Sequence, residues 1–403
     1  MTEFPKGLTG RRPRVGIDLH VVGGIFQGSR THCLELFSRV IAMTPECDFV
    51  VLGGEPSEML AFSTSFALPS VRFVAMEKRP APVRLLWQLP QTVRKFGVSL
   101  LHTQYIAPPL PFSATALTVH DILFESHREY FEKSFILRSR ILVPHSIRHS
   151  AAIFTVSDFS RRQICDTYSV DPGKVYTIPN GVDRKRFFPG DLGHDIVAEF
   201  GLQRGSYFLT VGRLEPRKNH TSLLRAWAHL PVPRPRLVMV GQRHFQYGEI
   251  FELIRRLCLE RDVLVLEQVS DKQLPALYRN ARAFVYSSRA EGFGMPLLEA
   301  MASGIPVVSP AHTALAEVCA DAAFPVDPDN PNEIGDAVLA LDRRAGLRES
   351  LIGRGLQRAK EFTWESSAQT VRSVYLRHFG LSGGASGDPP RLAAEGSKGD
   401  DRI

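Results

Sequence analysis

Cysteine is scarce and scattered in this 403-residue chain: Cys33, Cys47, Cys165, Cys258 and Cys319 stand far apart, without the spacing of a metal site. That argues against a zinc module and a disulfide-stapled scaffold, and for reduced thiols in a cytosolic protein. Long apolar runs are also missing. No uninterrupted stretch suffices to span a bilayer, and the uncharged segment after Tyr105 is broken by Pro108 and Pro109 and reads as a connection between strands. Met1 to Arg14 is polar, so no secretory leader is expected. No basic run interleaves with aromatics, which weakens a nucleic-acid partner as the reason for the net charge of +7. An anionic membrane surface and phosphorylated ligands remain. In Val21–Arg30, Gly23 and Gly28 have the spacing of an ATPase phosphate loop, but Ser29 stands where its lysine belongs. That loop has no G-x-G-x-x-G either, so a dinucleotide dehydrogenase is unsupported.

What is present is the composition of an ordinary globular protein, 44% hydrophobic and 23% charged. Short apolar strands alternate with amphipathic helices, the pattern of α/β folds with parallel sheets. In the first half the strands are read at Val15–Asp18, Phe49–Leu52, Val71–Val74, Ser99–His102, Ala116–Val119 and Ala152–Val156. In the second they are read at Tyr207–Val211, Arg236–Val240, Val263–Leu266, Ala283–Tyr286 and Val307–Val308. Helices are expected between them, for example over Thr221–His229 and Glu249–Arg261. The alternation restarts near residue 205, after a turn-rich stretch from Ile178 to Gly190. We therefore expect two doubly wound, Rossmann-like domains, residues 1–185 and 186–363. A last helix is placed within residues 364–381 and a disordered tail over 382–403. Ligands of such sheets bind at the carboxyl ends of the strands, so the site is expected in the cleft between the domains.

Three strand-to-helix connections carry chemistry. In Ala290-Glu291-Gly292-Phe293-Gly294-Met295-Pro296, two glycines make a turn and Pro296 opens a helix. Backbone N–H groups over Gly292, Phe293, Gly294 and Met295 then point out at a helix N-terminus, which favours an anion. Glu291 stands on one side and Glu299 about one turn into the helix on the other, each able to accept hydrogen bonds from hydroxyls. A nucleotide diphosphate sugar has this pattern of groups. Each carboxylate alone has an ordinary alternative, a solvated loop residue or a helix-start acid. After the first strand of the second half, Gly212-Arg213-Leu214-Glu215-Pro216-Arg217-Lys218-Asn219 offers a guanidinium and an ammonium for phosphate oxygens; its alternative is a solvated basic loop. Thr118-Val119-His120-Asp121 ends a strand of the first half.

Taken together these segments resemble the motifs of retaining glycosyltransferases of family 4, which have the GT-B fold. Glu291 to Glu299 resembles the family's E-x7-E signature, and Gly212 to Asn219 its G-R-L-x-x-x-K-N motif. His120-Asp121 resembles its H-D motif, and the loop before Arg30 its glycine-rich loop. Thr155-Val156-Ser157 to Ser160 and Pro179-Asn180-Gly181-Val182-Asp183 resemble two further segments.

The resemblance implies that Arg213 and Lys218 hold the donor diphosphate and that His120 contacts the donor sugar near the reacting carbon. It implies that Gly24 and Gly28 approach the phosphates, and that the last helix crosses back onto the first domain. Glu299 would accept ribose hydroxyls and Glu291 sugar hydroxyls. A hexosyl group, mannose or glucose, would pass with retention from a GDP- or UDP-linked donor to a glycan or lipid-linked acceptor. Alanine at Glu291, Arg213 or Lys218 is expected to remove transfer without unfolding the chain. Asp327-Pro328-Asp329 spells a metal motif of another glycosyltransferase fold but reads as a turn here, so neither a metal nor a cofactor is expected. Two alternatives stay open: a catalytically silent nucleotide-sugar-binding protein, and another GT-B enzyme such as an epimerase or a phosphorylase. The amphipathic segment Phe131–Leu142 is weighed as a peripheral contact with the inner membrane face, with an ordinary surface helix preferred.

Overall fold

The computed structural model describes residues 12–22, 28–109 and 113–381. Gly24 and the 382–403 tail lie outside the described residues. Two sheets organise the chain, with every strand pairing parallel to its neighbour. The first contains β1 (Arg14–Asp18), β2 (Asp48–Leu52), β3 (Val71–Val74), β4 (Leu100–Gln104), β5 (Ala114–Thr118), β6 (Ala152–Thr155) and β7 (Val175–Thr177) in the order 3-2-1-4-5-6-7. The second contains β8 (Tyr207–Val211), β9 (Arg236–Val240), β10 (Val263–Leu266), β11 (Ala283–Val285), β12 (Val307–Pro310) and β13 (Ala323–Val326). Its order, 10-9-8-11-12-13, repeats the pattern. Each order reverses beside its first strand, where open α/β sheets bind ligands.

Alternation along the strands explains the two helical layers. Phe49 and Val51 of β2 pack with Phe37 and Val40 on one face, while Val50 and Leu52 pack with Leu89 and Val93 on the other. In the second sheet Tyr207 and Leu209 face one core, and Phe208 faces another containing Leu223 and Trp227. Strands buried on both faces read as continuous apolar runs. Two strands absent from the sequence reading are β7 and β13. β7 is an edge of only three residues, and β13, also an edge, carries Pro325, which cannot donate to a ladder. The helix expected over Glu249–Arg261 ends at Arg256, and Cys258 beyond it sits at φ 53°, in the left-handed region.

The last helix, Trp364–His378, crosses back to the first domain. Trp364, Ala368, Val371 and Tyr375 join the β1–β2 core, and burying each large side chain stabilises the crossing by about 1.5–3 kcal/mol. Arg372 Nε donates to Met43 O at 2.6 Å, and the buried His102 bonds the Tyr375 hydroxyl. The linker is held against the start of this helix: Val182 N donates to Phe362 O at 3.3 Å. A Cβ on Gly181 would lie 2.4 Å from Trp364 N, so only glycine fits. Two strands of chain thus tie the domains on one side and leave the sheets' carboxyl ends facing each other.

Candidate functional site

A cleft of about 1660 Å³ lies between the two sheets. His120, Gly28, Arg213, Lys218, Glu291, Gly292, Phe293, Gly294, Met295 and Glu299 all line it. The approach across it is close. A Cβ on Gly28 would lie 3.1 Å from Met295 Cε, and one on Gly292 would lie 2.6 Å from Asp121 Oδ2 of the opposite domain. Gly294 sits at φ 116°, a conformation that favours glycine, and the helix it precedes begins at Met295, one residue before Pro296. The Gly292 carbonyl accepts the Ser157 hydroxyl at 2.8 Å, and Glu317 accepts the N–H groups of Asp158 and Phe159 at 2.9 Å each. Ser157 to Ser160 is therefore a clasp between the domains.

Glu291 is the hub of a buried network. Its Oε1 accepts Lys218 Nζ, the Tyr286 hydroxyl at 2.8 Å and the Ser288 hydroxyl at 2.7 Å. Its Oε2 lies 2.8 Å from Arg217 Nη1. Burial would raise this carboxyl, but Arg217 and Lys218, with hydrogen bonds from Lys218 and Ser288, hold it well below the usual carboxylate range. Lys218 is lowered as well: burial and the Arg217 charge outweigh the attraction of Glu291. Arg217 also meets Glu215 Oε1 at 2.7 Å and donates to Ala290 O at 2.6 Å. Burial raises Glu215, but Arg217, Arg213 and Lys218 outweigh it. Three donors crowd Oε1 and Arg217 faces Oε2, so a sugar hydroxyl must share Oε2 with Arg217 or replace a donor on Oε1.

Arg213 is placed differently. Its side chain is one-third exposed, Nη1 lies 3.1 Å from His244 Nε2, and Nε is 3.8 Å from Glu215 Oε2. His244 Nδ1 in turn lies 3.1 Å from Glu215. The guanidinium is thus aimed by a His–Glu pair rather than buried in an ion pair. Gly241, opposite, must be glycine, because its Cβ would lie 1.9 Å from Gly212 O.

On the first domain, His120 Nε2 lies 3.1 Å from Gln104 Oε1, and its ring stands edge-on to His32 with centroids 4.5 Å apart. Burial, then the His32 and His102 rings, lower His120 well below its ordinary value, so it is neutral at pH 7. His32 itself is lowered to about 4 by burial, against its 2.7 Å bond to Asn180. Glu299 lines the cleft as the resemblance implies. Burial raises it from 4.5 to about 7, offset in part by the neighbouring Tyr278 hydroxyl and Arg186.

That shift makes a prediction. An unfolded carboxyl loses its proton near 4.5, whereas folded Glu299 keeps it to about 7. Between those values the folded state binds more protons, so stability from this group falls as pH rises. Urea unfolding at pH 5 and pH 8 should show Glu299→Gln stabilised relative to wild type at the higher pH by on the order of 2 kcal/mol. An equal difference at both pH values would show that Glu299 titrates normally.

The sequence reading named the loops but not every partner. Arg217, Glu215, Tyr286 and Ser288 were adjacent to named residues without a role, because only the fold brings 215–218 against 286–291. Asp121 was legible as the second letter of the H-D motif. Its carboxyl is raised by burial against the Arg217 charge. Asp327-Pro328-Asp329 is a turn in which Asp329 Oδ1 accepts Arg289 Nε at 2.6 Å. Among the described residues no group of three or more His, Cys, Asp and Glu side chains is placed to share a metal ion.

Two facing doubly wound sheets with a cleft between them have the architecture of the GT-B glycosyltransferases. The sequence profile of Glycosyltransferase Family 4 matches residues 26–186, and that of Glycosyl transferases group 1 matches residues 197–358. The O-antigen chain mannosyltransferase B of Escherichia coli is 32% identical over 301 residues, 73% of this chain and 78% of that protein. The sucrose-phosphate synthase of Thermosynechococcus elongatus superposes with a TM-score of 0.74 at 19% identity, over 92% of this chain and 100% of its own. A structure of Anabaena Alr3699/HepE in complex with UDP and glucose gives a TM-score of 0.71 at 18% identity, over 91% and 100% of the two chains. The chain belongs to glycosyltransferase family 4.

Proposed function

We propose that this glycosyltransferase moves a hexosyl group, mannose first, from a GDP- or UDP-linked sugar to a hydroxyl of a glycan or lipid-linked acceptor in polysaccharide assembly. The reaction proceeds with retention and without a metal. The observation that carries the reading is the Arg217–Glu291–Lys218 network beside Arg213 and the Met295 helix N-terminus. Negative charge grows on the departing diphosphate, and fixed cations and N–H dipoles stabilise it. A diphosphate arriving at Arg213 competes with Glu291 for Lys218. As Lys218 turns to phosphate, a lone pair of Glu291 is released for a sugar hydroxyl. The neutral His120 lies across the cleft to position the sugar, and Glu299 accepts the ribose hydroxyls. The mannosyl choice is supported by the Escherichia coli relative's name, and the nucleotide diphosphate by the UDP bound in the Anabaena structure.

The test is incubation with UDP- and GDP-hexoses and a glycan acceptor pool. NMR of the product should show the donor's anomeric configuration, in EDTA as without it. Inverted product, or dependence on added divalent cation, would contradict the mechanism.

A second element of the reading concerns the acceptor's surroundings. No helix among the described residues is long and apolar enough to cross a membrane. The Lys133–His149 helix contains all but the first two residues of the segment weighed above. It buries Val143 and Ile147 but leaves Leu137 66% and Ile141 61% exposed. Part of the apolar stripe therefore faces away from the sheet. A second helical stretch, residues 81–96, exposes Leu86 and Trp87, the latter by 64%. Residues 78–96 and 133–149 contain nine Lys and Arg side chains between them and no Asp or Glu. Both border the cleft on the first domain. This composition suits the headgroup region of an anionic bilayer. In liposome flotation the protein should rise with phosphatidylglycerol vesicles and not with phosphatidylcholine alone. Trp87→Ser combined with Leu137→Ser should lose most of the binding. No flotation with either vesicle would remove the membrane element.

A further inference from the structure

At the carboxyl end of β1, Asp18 is 1% exposed and carries a charge that nothing in the donor site uses. Its two oxygens serve different partners. Oδ1 lies 3.0 Å from His20 Nδ1, and Oδ2 accepts Arg84 Nη1 at 2.6 Å. Burial alone would raise this carboxyl; His20 and Arg84 instead lower it to about 2. An ionised Asp18 only accepts and the Arg84 guanidinium only donates, so Nδ1 is the donor of the His20 ring and Nε2, 3.4 Å from Arg84 Nη2, its acceptor. The His20 side chain is 39% exposed, and both it and Arg84 line the cleft. Gly53 and Gly54, at φ 77° and 74°, end β2 tightly against this corner: a Cβ on Gly53 would lie 3.3 Å from His20 Cα.

An imidazole acceptor and a guanidinium donor separated by a long contact suit one kind of group in particular. A hydroxyl accepts from Arg84 while donating to His20, whereas an ionised carboxylate or a phosphate dianion can only accept and an ammonium can only donate. A buried carboxylate fixes both side chains, as a partner shell orients a functional imidazole. We propose that His20 and Arg84 bind an acceptor hydroxyl, with Asp18 as the positioning residue that holds them. The assignment rests on the glycosyl-transfer reading and adds to it the residues that select a polyol on the first domain. The loops of the second domain bind the donor independently of them.

The experiment separates donor from acceptor. Hydrolysis of UDP- and GDP-hexoses is measured without acceptor, then transfer to methyl α-D-mannopyranoside, methyl α-D-glucopyranoside and myo-inositol. For the acceptor used, His20→Ala should raise KM at least tenfold, while donor KM and donor hydrolysis stay within twofold of wild type. His20→Gln, which keeps a hydrogen-bonding side chain, should recover part of the loss. Asp18→Asn should raise acceptor KM without changing donor KM. An unchanged acceptor KM in His20→Ala, or a parallel loss of donor hydrolysis, would overturn the assignment. So would a wild-type enzyme that hydrolyses donor yet transfers to none of the three. Absence of any nucleotide-sugar turnover would instead overturn the glycosyl-transfer reading.

Discussion

Glu291→Ala should cost both activity and stability. The carboxylate neutralises Arg217 and Lys218, whose side chains are only 13% and 11% exposed, and removing it leaves two cations in a poorly solvated site. Breaking a buried ion pair by deleting one partner typically costs about 3–5 kcal/mol. The domain of β8–β13 should therefore unfold at a lower urea concentration, and sugar transfer should fall to background. The sequence alone suggested that the fold would tolerate this substitution; the network leads to the opposite expectation. Glu291→Gln, which preserves shape and two hydrogen-bonding groups, should recover part of the stability and none of the turnover. If Glu291→Ala unfolds like wild type, the carboxylate is not the hub described here.

Arg213→Ala should show the opposite balance. Arg213 is one-third exposed and held by His244, so its loss empties no core and strands no buried charge. Its proposed work is on the leaving diphosphate, where removal of one stabilising group costs about 3–4 kcal/mol in comparable sites. Turnover should thus drop roughly 100- to 1000-fold at nearly unchanged stability. Lys218→Ala is the informative companion, because Arg217 remains to neutralise Glu291. Its stability should lie between those of Arg213→Ala and Glu291→Ala, with turnover as low as in Arg213→Ala. Wild-type turnover in Arg213→Ala would refute the diphosphate role.

The contrast between these variants shows how far the sequence could be read. The runs Phe49–Leu52, Tyr207–Val211 and Arg236–Val240 announced buried parallel strands because both faces of each are covered. β13 escaped because Pro325 and its edge position dilute the same signal. The three site loops were legible since their glycines and their strand-to-helix position are local properties. Arg217 was not, since its importance comes from Glu291, seventy-four positions later in the chain. For the same reason the spacing of Glu291 and Glu299 could not reveal that one carboxylate is held strongly acidic and the other pushed up to about 7. Their opposite environments, Arg217 and Lys218 around one and burial beside the Tyr278 hydroxyl around the other, are products of tertiary packing.

The most direct measurement is thermal stabilisation of the purified protein by UDP, GDP and ADP, with Arg213→Ala in parallel. A nucleotide at about 100 times its dissociation constant should stabilise the wild type by roughly 2.7 kcal/mol. The account predicts a clear shift with UDP or GDP that Arg213→Ala largely loses. No shift with any nucleotide, or an equal shift in both proteins, would contradict a diphosphate site between the Arg213 and Glu291 loops.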